Sequence, residues 1–579
     1  MDKMKLNVGI DLGTTNSECY VSCNGGRLEP VCFSNGDKKK PAMLASIVSY
    51  QNGEFVVGNE LKEDAYKFLK SWKYLKVKMK DEENYTYDGK PSDEPFPLTI
   101  SPVDFSAEIL KAIKQGIAKR FGNYEIETLV ITVPAYFRDF ERRSVLRAVK
   151  KAGLYAIKKI ALINEPTAAA LAYGERLQND QKIIAFDLGG GTFDVTLLEY
   201  QLVDNYRFYQ AISTNGSEIG GKNFDEKLLN LLYENFINQD GGDYKNDKEF
   251  KEAFFLTFLP EMENLKQSLN FLSDVSVDNY VKIRNEEVYV TSTVAAKSFN
   301  EMISPYIQTC IQMTKNVIGT NKVNKLILVG GSTRMPYIQQ ELRKAFPDLE
   351  LVGEDPDLIV AKGAAMHAKE MDSENEKKLF LNEIVSNAVG VSLIGDFVGN
   401  VVKAGTPIPY KTTERFCGVV RNQTNIEMLV LNGNSPVVQG NEILGTIQLN
   451  NLRTNGEIPE FDVTIAIGED SIVDVNVKQV DAIGKETSAK FAFSDNHQEE
   501  ADIREKAFEL AAREAFLDVK EDDLVSLAQQ TINQYSQRDD SIASYVVSTL
   551  NNALKSGDLK MLKETLYRTY LCSKGVNKA

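Results

Sequence analysis

The sequence predicts a multidomain fold: a duplicated α/β unit, then an all-β domain, then a short α-helical tail. Three observations carry this reading. Two acidic, glycine-rich turns stand far apart in one chain: Asp11-Leu12-Gly13-Thr14-Thr15-Asn16 and Asp187-Leu188-Gly189-Gly190-Gly191-Thr192-Phe193-Asp194. Each follows a short apolar run, Val8-Gly9-Ile10 or Ile183-Ile184-Ala185-Phe186, and so reads as a strand ending in a tight turn. Beyond residue 384 the texture changes to a period of two.

The first element to justify is the pair of turns. Glycine lets backbone N–H groups approach a phosphate with no Cβ in the way, and threonine adds a hydroxyl donor. An aspartate at the strand end can hold a divalent ion through its waters. Two near-copies, each opening a β-rich segment, predict a duplicated unit gripping one nucleotide from both sides. From about 5 to 370 strand-like and helix-like segments alternate: Leu129–Val133 and Leu326–Val329 read as buried strands, and 105–119 and 300–317 as helices.

Residues 369–378 are strongly charged and read as a solvated helix end or a linker. The apolar triplet Leu379-Phe380-Leu381 follows directly. From 384 to about 495, Ile426–Leu431, Phe461–Ile467 and Ile472–Val477 alternate in steps of two between Gly and Asn turns, which predicts a β-sandwich. From 499 the chain is rich in Ala, Glu, Leu and Lys, contains no proline, and reads as helix.

Composition sets bounds. A chain of 579 residues is too long for one core. A net charge of -15 argues against a nucleic-acid partner, whose phosphates need a basic face. No apolar run approaches the length of a membrane span, and Met1–Leu6 lacks a signal-peptide core, so cytoplasmic residence is the expectation. Six cysteines are too few for a disulfide framework. The two histidines, His367 and His497, lack the context of a nucleophilic triad. Any chemistry therefore rests on carboxylates, hydroxyls, lysine and a metal.

The two turns, with Val133-Pro134-Ala135-Tyr136-Phe137, Ile163-Asn164-Glu165-Pro166-Thr167 and its alanine run to Gly174, and Gly330-Gly331-Ser332-Thr333-Arg334-Met335-Pro336, resemble the 70-kDa heat-shock protein (DnaK-type) chaperones. The short C-terminus and residues 191–200 are similar to the shorter HscC-like branch. The resemblance runs nearly the whole chain. It implies an actin-like two-lobed ATPase over 1–376, a hydrophobic linker at 377–383, a peptide-binding sandwich at 384–498 and a shortened lid at 499–579. It implies an ATP-dependent chaperone that binds and releases extended apolar segments.

The resemblance also implies residue roles. Gly13, Thr14, Thr15 and Asn16 would wrap the phosphates from one side, and Gly189, Gly190, Gly191 and Thr192 from the other, with Gly220 and Gly221 beside them. Asp11, Glu165 and Asp187 would surround hydrated Mg2+. Thr192 and Asp194, two apart on an extended chain, would orient water or K+. Matching Leu69–Leu75 to the family pattern makes Lys73 the phosphate lysine; Lys70, Lys76 and Lys78 crowd the same stretch. Glu263, Lys266 and Asn270 have helical spacing and would meet adenosine, together with Gly330, Gly331, Ser332, Arg334 and Asp357. Gln267 stands where relatives often carry an arginine or an aliphatic residue.

In the β domain, Val391, Leu393, Ile394, Phe416, Cys417, Val419, Ile426 and Met428 would face peptide; read without the resemblance, such strand residues form a core. Leu379, Phe380 and Leu381 would dock on the ATP-bound ATPase domain. Pro134 and Arg142, or the adjacent Arg143, would relay the signal. A J-domain co-chaperone is implied. The segment near Leu272–Val281 is brief where many bacterial relatives carry a loop used by an exchange factor, which leaves dependence on that factor open. A small-molecule kinase or an actin-like filament module would share the phosphate turns but leave the β domain unexplained.

Overall fold

The computed structural model describes all residues except 1–2, 38, 81–82, 175, 178, 204–205, 285, 354–355, 373–378, 451, 453, 455, 481–489, 494–505, 507, 518 and 577–579. The expected boundary at 498/499, His497 and residues 377–378 of the expected linker lie outside the described residues. The chain divides into Met1–Glu383 and Ile384–Ala579.

The first unit holds two sheets of matching topology. In the first, Met4–Asp11 pairs antiparallel with Asn16–Cys23, which pairs with Leu28–Pro30. On its other side Met4–Asp11 lies parallel to Tyr124–Val133, and that strand parallel to Lys159–Asn164. In the second, Gln181–Leu188 pairs antiparallel with Phe193–Val203, which pairs with Tyr206–Ser217. Its other side runs parallel to Lys325–Val329 and then Glu350–Val352. The two acidic turns thus occupy the same place in two copies of one arrangement. A strand running into a hairpin, flanked by parallel strands, puts both turns at strand C-terminal ends, where ligands bind in α/β sheets.

The helices are set by caps and apolar spacing. Pro102–Phe121 begins with Ser101, whose hydroxyl accepts from the Asp104 N–H, and carries proline in its first turn. It is somewhat longer than the 105–119 expected. Ala296–Ile318 likewise brackets the expected 300–317. Helices Glu165–Gly174 and Ile359–Asp372 contribute Ala168, Ala169, Ala170, Ala364 and Ala368 to a core cluster shared with both sheets. Such small side chains let backbones approach closely and fix the spacing of whatever the sheets carry.

The strand Leu379–Ile384 adds to the second sheet, parallel to Tyr206–Ser217, with Arg207 opposite Leu379 and Gln210 opposite Asn382. Phe380 stacks on Phe208, ring centroids 4.8 Å apart at 11°. Leu379 and Leu381 pack against the alanine-rich cluster.

In the second unit, Val398–Val402, Val389–Ser392, Ile426–Asn432, Glu442–Leu449 and Lys490–Phe493 form one sheet. Tyr410–Cys417, Glu460–Ile467 and Val473–Val480 form another. Glu460–Ile467 buries every second side chain, the signature of a strand with one face in a core. The inward faces of both sheets share one cluster, including Val391, Ile447, Phe461, Val463 and Ile465. Helices Glu521–Tyr535, Ser541–Ser556 and Leu559–Val576 follow and share a cluster with Phe397 and Val437 of the β region.

Candidate functional site: two facing glycine turns over buried carboxylates

The two glycine turns face each other. A Cβ on Gly190 would lie 1.7 Å from Thr15 Oγ1, and one on Gly191 would lie 2.6 Å from Thr14 Cγ2. Only glycine permits that approach. Each turn is tied into its own half. The Ser46 hydroxyl donates to the Gly13 carbonyl at 2.9 Å. The Ser332 hydroxyl donates to the Gly189 carbonyl at 2.9 Å. Gly221 N–H donates to Gly189 O and Lys222 N–H to Gly190 O, so the helix Gly221–Gln239 starts against the second turn. Its N-terminal N–H groups and positive dipole end suit an anion there. Gly330 has φ 79°, a backbone that favours glycine, and sits against Leu188 O and Asp187 Oδ1.

Four carboxylates lie beneath the turns. Asp11 ends its strand and accepts from the Thr132 hydroxyl at 2.7 Å. Glu165 opens its helix, where the dipole favours an anion, and is 7% exposed. Asp187 and Asp194 are register partners across their hairpin. Asp194 Oδ1 accepts from the N–H groups of Ala135 and Tyr136 at 2.8 and 3.3 Å, while its Oδ2 is buried without a hydrogen-bond partner. Burial first, then the Glu165 charge, pushes Asp11 up to about 7, against the opposing pull of Lys76 and the Thr132 hydroxyl. Burial and neighbouring carboxylates also push Asp187 and Asp194 well above the usual range. A buried cluster this rich in negative charge is chemically suited to a cation.

The expected phosphate lysine, Lys73, is bonded within its own stretch of chain. Lys73 Nζ donates to the carbonyls of Phe68 and Ser71 at 2.7 and 2.8 Å and lies 4.5 Å over the Phe68 ring. Burial lowers its pKa to about 8. Lys76 is the lysine that reaches the acidic cluster: its Nζ is 2.5 Å from Glu165 Oε1 and its side chain is 2% exposed. The cause is local. Tyr74 adopts a left-handed φ of 61°, and Leu75–Lys78 forms a 3-10 turn, which swings Lys76 into the acidic cluster. In a run of four lysines, spacing alone does not reveal that swing.

The remaining expected nucleotide contacts are partly brought together. Lys266 Nζ is 2.7 Å from Asp225 Oδ1 and 3.3 Å from Gly221 O, beside the second turn. Glu263 pairs with Lys62 at 2.8 Å. The helix Met262–Ser268 ends before Asn270, which sits in the following turn, so the three residues do not share one helix. Asp357 accepts from Arg334 at 2.7 Å and from Lys40 at 2.6 Å. Asn16 begins the strand after the first turn, and Thr192 is buried at the second.

Among the described residues no three carboxylate, cysteine or histidine side chains lie close enough to bind a metal directly. The buried carboxylates and the orphaned Asp194 Oδ2 fit a hydrated divalent cation, held through its waters.

Glu383, the last residue of the expected linker, has no role in the sequence reading. Glu383 is 8% exposed. Burial raises its pKa, partly offset by the Thr167 hydroxyl, the Arg142 guanidinium and Asn164. Arg142 donates to Asn164 Oδ1 at 2.6 Å and to the Phe137 carbonyl at 2.9 Å, a turn that begins at Pro134. Arg143 instead pairs with Asp139 on its own helix. Of the two arginines, Arg142 is the one in this network.

In the second unit, Val391, Ile426 and Met428 are buried in the core cluster. Leu393 and Phe416 pack at its margin, and Val419 is half-buried. Ile394 is 38% exposed and Cys417 is exposed. The expected peptide-facing residues therefore divide into core and margin. No described helix is long and apolar enough to cross a membrane.

The family model for Hsp70 protein matches residues 7–570. The chain is 32% identical over 501 residues to the chaperone protein dnaK of Cyanidium caldarium, covering 82% of this chain and 78% of that protein. With matching glycine turns, a buried acidic cluster and a family match over nearly its whole length, the chain belongs to the Hsp70 family.

Proposed function

We propose that the chain is an ATP-driven chaperone that binds and releases extended apolar segments, with an actin-like two-lobed ATPase, a β-sandwich and a short helical lid. The observation that carries this is the approach of the two glycine turns over Asp11, Glu165, Asp187 and Asp194, with Lys76 paired to Glu165. Backbone donors fixed around phosphates need no reorganisation during the reaction. Thr14, Thr15 and Asn16 on one side, and Gly190, Gly191 and Thr192 on the other, hold the phosphates of ATP or ADP. Lys76 offsets charge between the phosphates and Glu165. Thr192 and Asp194 orient the attacking water, with Asp194 fixed by the Ala135 and Tyr136 N–H groups. Hydrated Mg2+, when bound with the nucleotide, supplies the positive charge that the developing phosphate negative charge requires. K+ beside Thr192 and Asp194 belongs to the same reading.

The coupling reading rests on the linker strand. Phe380 on Phe208 and Glu383 beside Arg142 tie the strand to the residues that flank Glu165. Losing the strand would free Arg142 and Asn164, one residue from the acidic cluster. Partners on this reading are unfolded clients and a J-domain co-chaperone, in the cytoplasm. Single-turnover ATP hydrolysis with and without an apolar heptapeptide tests it. Peptide-stimulated hydrolysis is expected. Phosphorylation of a metabolite with no peptide response would favour a kinase and overturn it.

A further inference from the structure

The linker strand is held at its start by a helix as well as along its length by a sheet. Leu379, the first residue of Leu379–Ile384, donates its N–H to Glu370 Oε1 at 3.1 Å. Glu370 is half-buried in the last turn of the helix Ile359–Asp372. Farther along the strand, Phe380 stacks on Phe208, and Gln210 Nε2 donates to the Asn382 carbonyl at 3.4 Å. Glu370 thus supplies the acceptor for the first N–H of the strand, and a half-buried N–H left unmet is costly.

The helix that carries Glu370 is wedged against the two elements that carry Asp11 and Glu165. On the strand Met4–Asp11, a Cβ on Gly9 would lie 2.0 Å from the Ala365 nitrogen. Asn7 of the same strand donates through Nδ2 to Asp372 Oδ2 at 3.0 Å. On the helix Glu165–Gly174, a Cβ on Gly363 would lie 1.7 Å from the Ala168 carbonyl oxygen. The end of the helix is pinned once more, because Lys158 lies 2.6 Å from Asp372 Oδ1 and 3.4 Å from the buried Glu127. Backbones this close move together, since a close-packed interior transmits displacement rather than absorbing it. A shift of the strand that ends in Asp11, or of the helix that opens with Glu165, therefore carries Glu370 with it. Arg142 and Asn164 act at the far end of the linker strand, at Glu383. Glu370 acts at its near end.

We propose that Glu370 is a positioning residue for the coupling: by accepting the Leu379 N–H it sets where the linker strand docks, and the helix Ile359–Asp372 carries the state of the nucleotide site to that contact. This rests on the coupling reading above. The docked and the released strand are the two arrangements that the helix biases. A side chain with no acceptor at position 370 disfavours the docked strand and leaves the glycine turns and the carboxylates beneath them untouched.

The test uses the full-length protein, the wild type beside Glu370→Leu, Glu370→Gln and Glu370→Ala. Amide hydrogen exchange over 379–384 is read by mass spectrometry after brief labelling with Mg2+ and either ATP or ADP. Release of a pre-bound fluorescent apolar heptapeptide on adding ATP is followed beside it. With ATP, Glu370→Leu is expected to exchange these amides about tenfold faster than the wild type, the size of one lost charge-assisted contact. Its ATP-triggered peptide release should slow by a similar factor. Nucleotide affinity and circular dichroism should match the wild type, which separates a lost acceptor from a damaged fold. Glu370→Gln keeps an oxygen acceptor and should restore most of the protection and most of the release. Should Glu370→Leu fail to fold, Glu370→Ala decides. Wild-type exchange and release in the folded Leu or Ala variant, or a Gln variant as impaired as either, would overturn the role of Glu370 while leaving the coupling in place. A wild-type protein whose linker amides and peptide release ignore the choice of nucleotide would overturn the coupling reading and the role of Glu370 with it.

Discussion

Replacing Lys76 and Lys73 separately by alanine distinguishes a lysine in the reaction from one in the scaffold. Lys76 is 2% exposed and its ammonium is paired with Glu165 inside a cluster of four carboxylates. Removing one preorganised charged donor from such a site costs roughly 2.7–4 kcal/mol of transition-state stabilisation, or about a hundred- to thousandfold in rate. Breaking a buried ion pair costs about 3–5 kcal/mol of folding stability where the remaining charge has no relief. Here relief is available, because Asp11 already titrates at about 7 and can take up a proton. The main loss in Lys76→Ala should therefore appear in hydrolysis rather than in folding. Lys73 donates only to two main-chain carbonyls. Its removal should lower thermal stability and leave single-turnover hydrolysis within about threefold, since each such bond is worth only about 1 kcal/mol. The assay is single-turnover cleavage of ATP at saturating enzyme, beside thermal unfolding of each variant. Rapid hydrolysis in Lys76→Ala, or equal slowing in both, would refute the placement.

Further expectations follow from the same geometry. Asp11 is raised in the folded chain from an ordinary 3.8, so folding favours its protonated form; its contribution is lost as pH rises through about 7. Nucleotide-free wild type should therefore lose thermal stability between pH 5 and 8 more steeply than Asp11→Asn, and matching slopes would remove Asp11 from the explanation. Gly190→Ala forces a methyl group onto Thr15 Oγ1; calorimetry should find nucleotide affinity sharply reduced, and unchanged affinity would show the turns do not grip phosphate. Leu381→Asp puts a carboxylate against the alanine-rich cluster; peptide stimulation of the ATPase should vanish while nucleotide still binds. Ile426→Phe overfills a site only 8% exposed; the second unit should lose roughly 1–3 kcal/mol in denaturant unfolding, with nucleotide affinity unaltered.

The duplicated turns were legible because glycine, threonine and aspartate at a strand end have a local geometric meaning. Their matching sheet topology follows from that repetition. The period-two strands were legible for the same reason: Glu460–Ile467 alternates in sequence and in burial. What escaped depended on φ angles or on distant partners. Lys76, not Lys73, reaches Glu165, beside a left-handed Tyr74. Glu383 reads as a lone charge closing the linker, and only the pairing of Leu379–Ile384 with Tyr206–Ser217 brings it to Arg142 and Asn164. Asn270 fell off its expected helix because Met262–Ser268 ends early. The β-domain residues could not be sorted into core and margin from pattern alone: Val391 lies inside the strand Val389–Ser392, while Leu393 falls just past its end, a boundary that apolar alternation does not mark.

The central claim is that nucleotide at the facing turns controls peptide in the second unit through the linker strand. Its most direct test is the release of a pre-bound fluorescent apolar peptide on mixing with Mg2+ and either ATP or ADP. Release should accelerate with ATP, remain slow with ADP, and lose its ATP response in Leu381→Asp. Equal release with both nucleotides, or an undiminished ATP response in Leu381→Asp, would contradict the account.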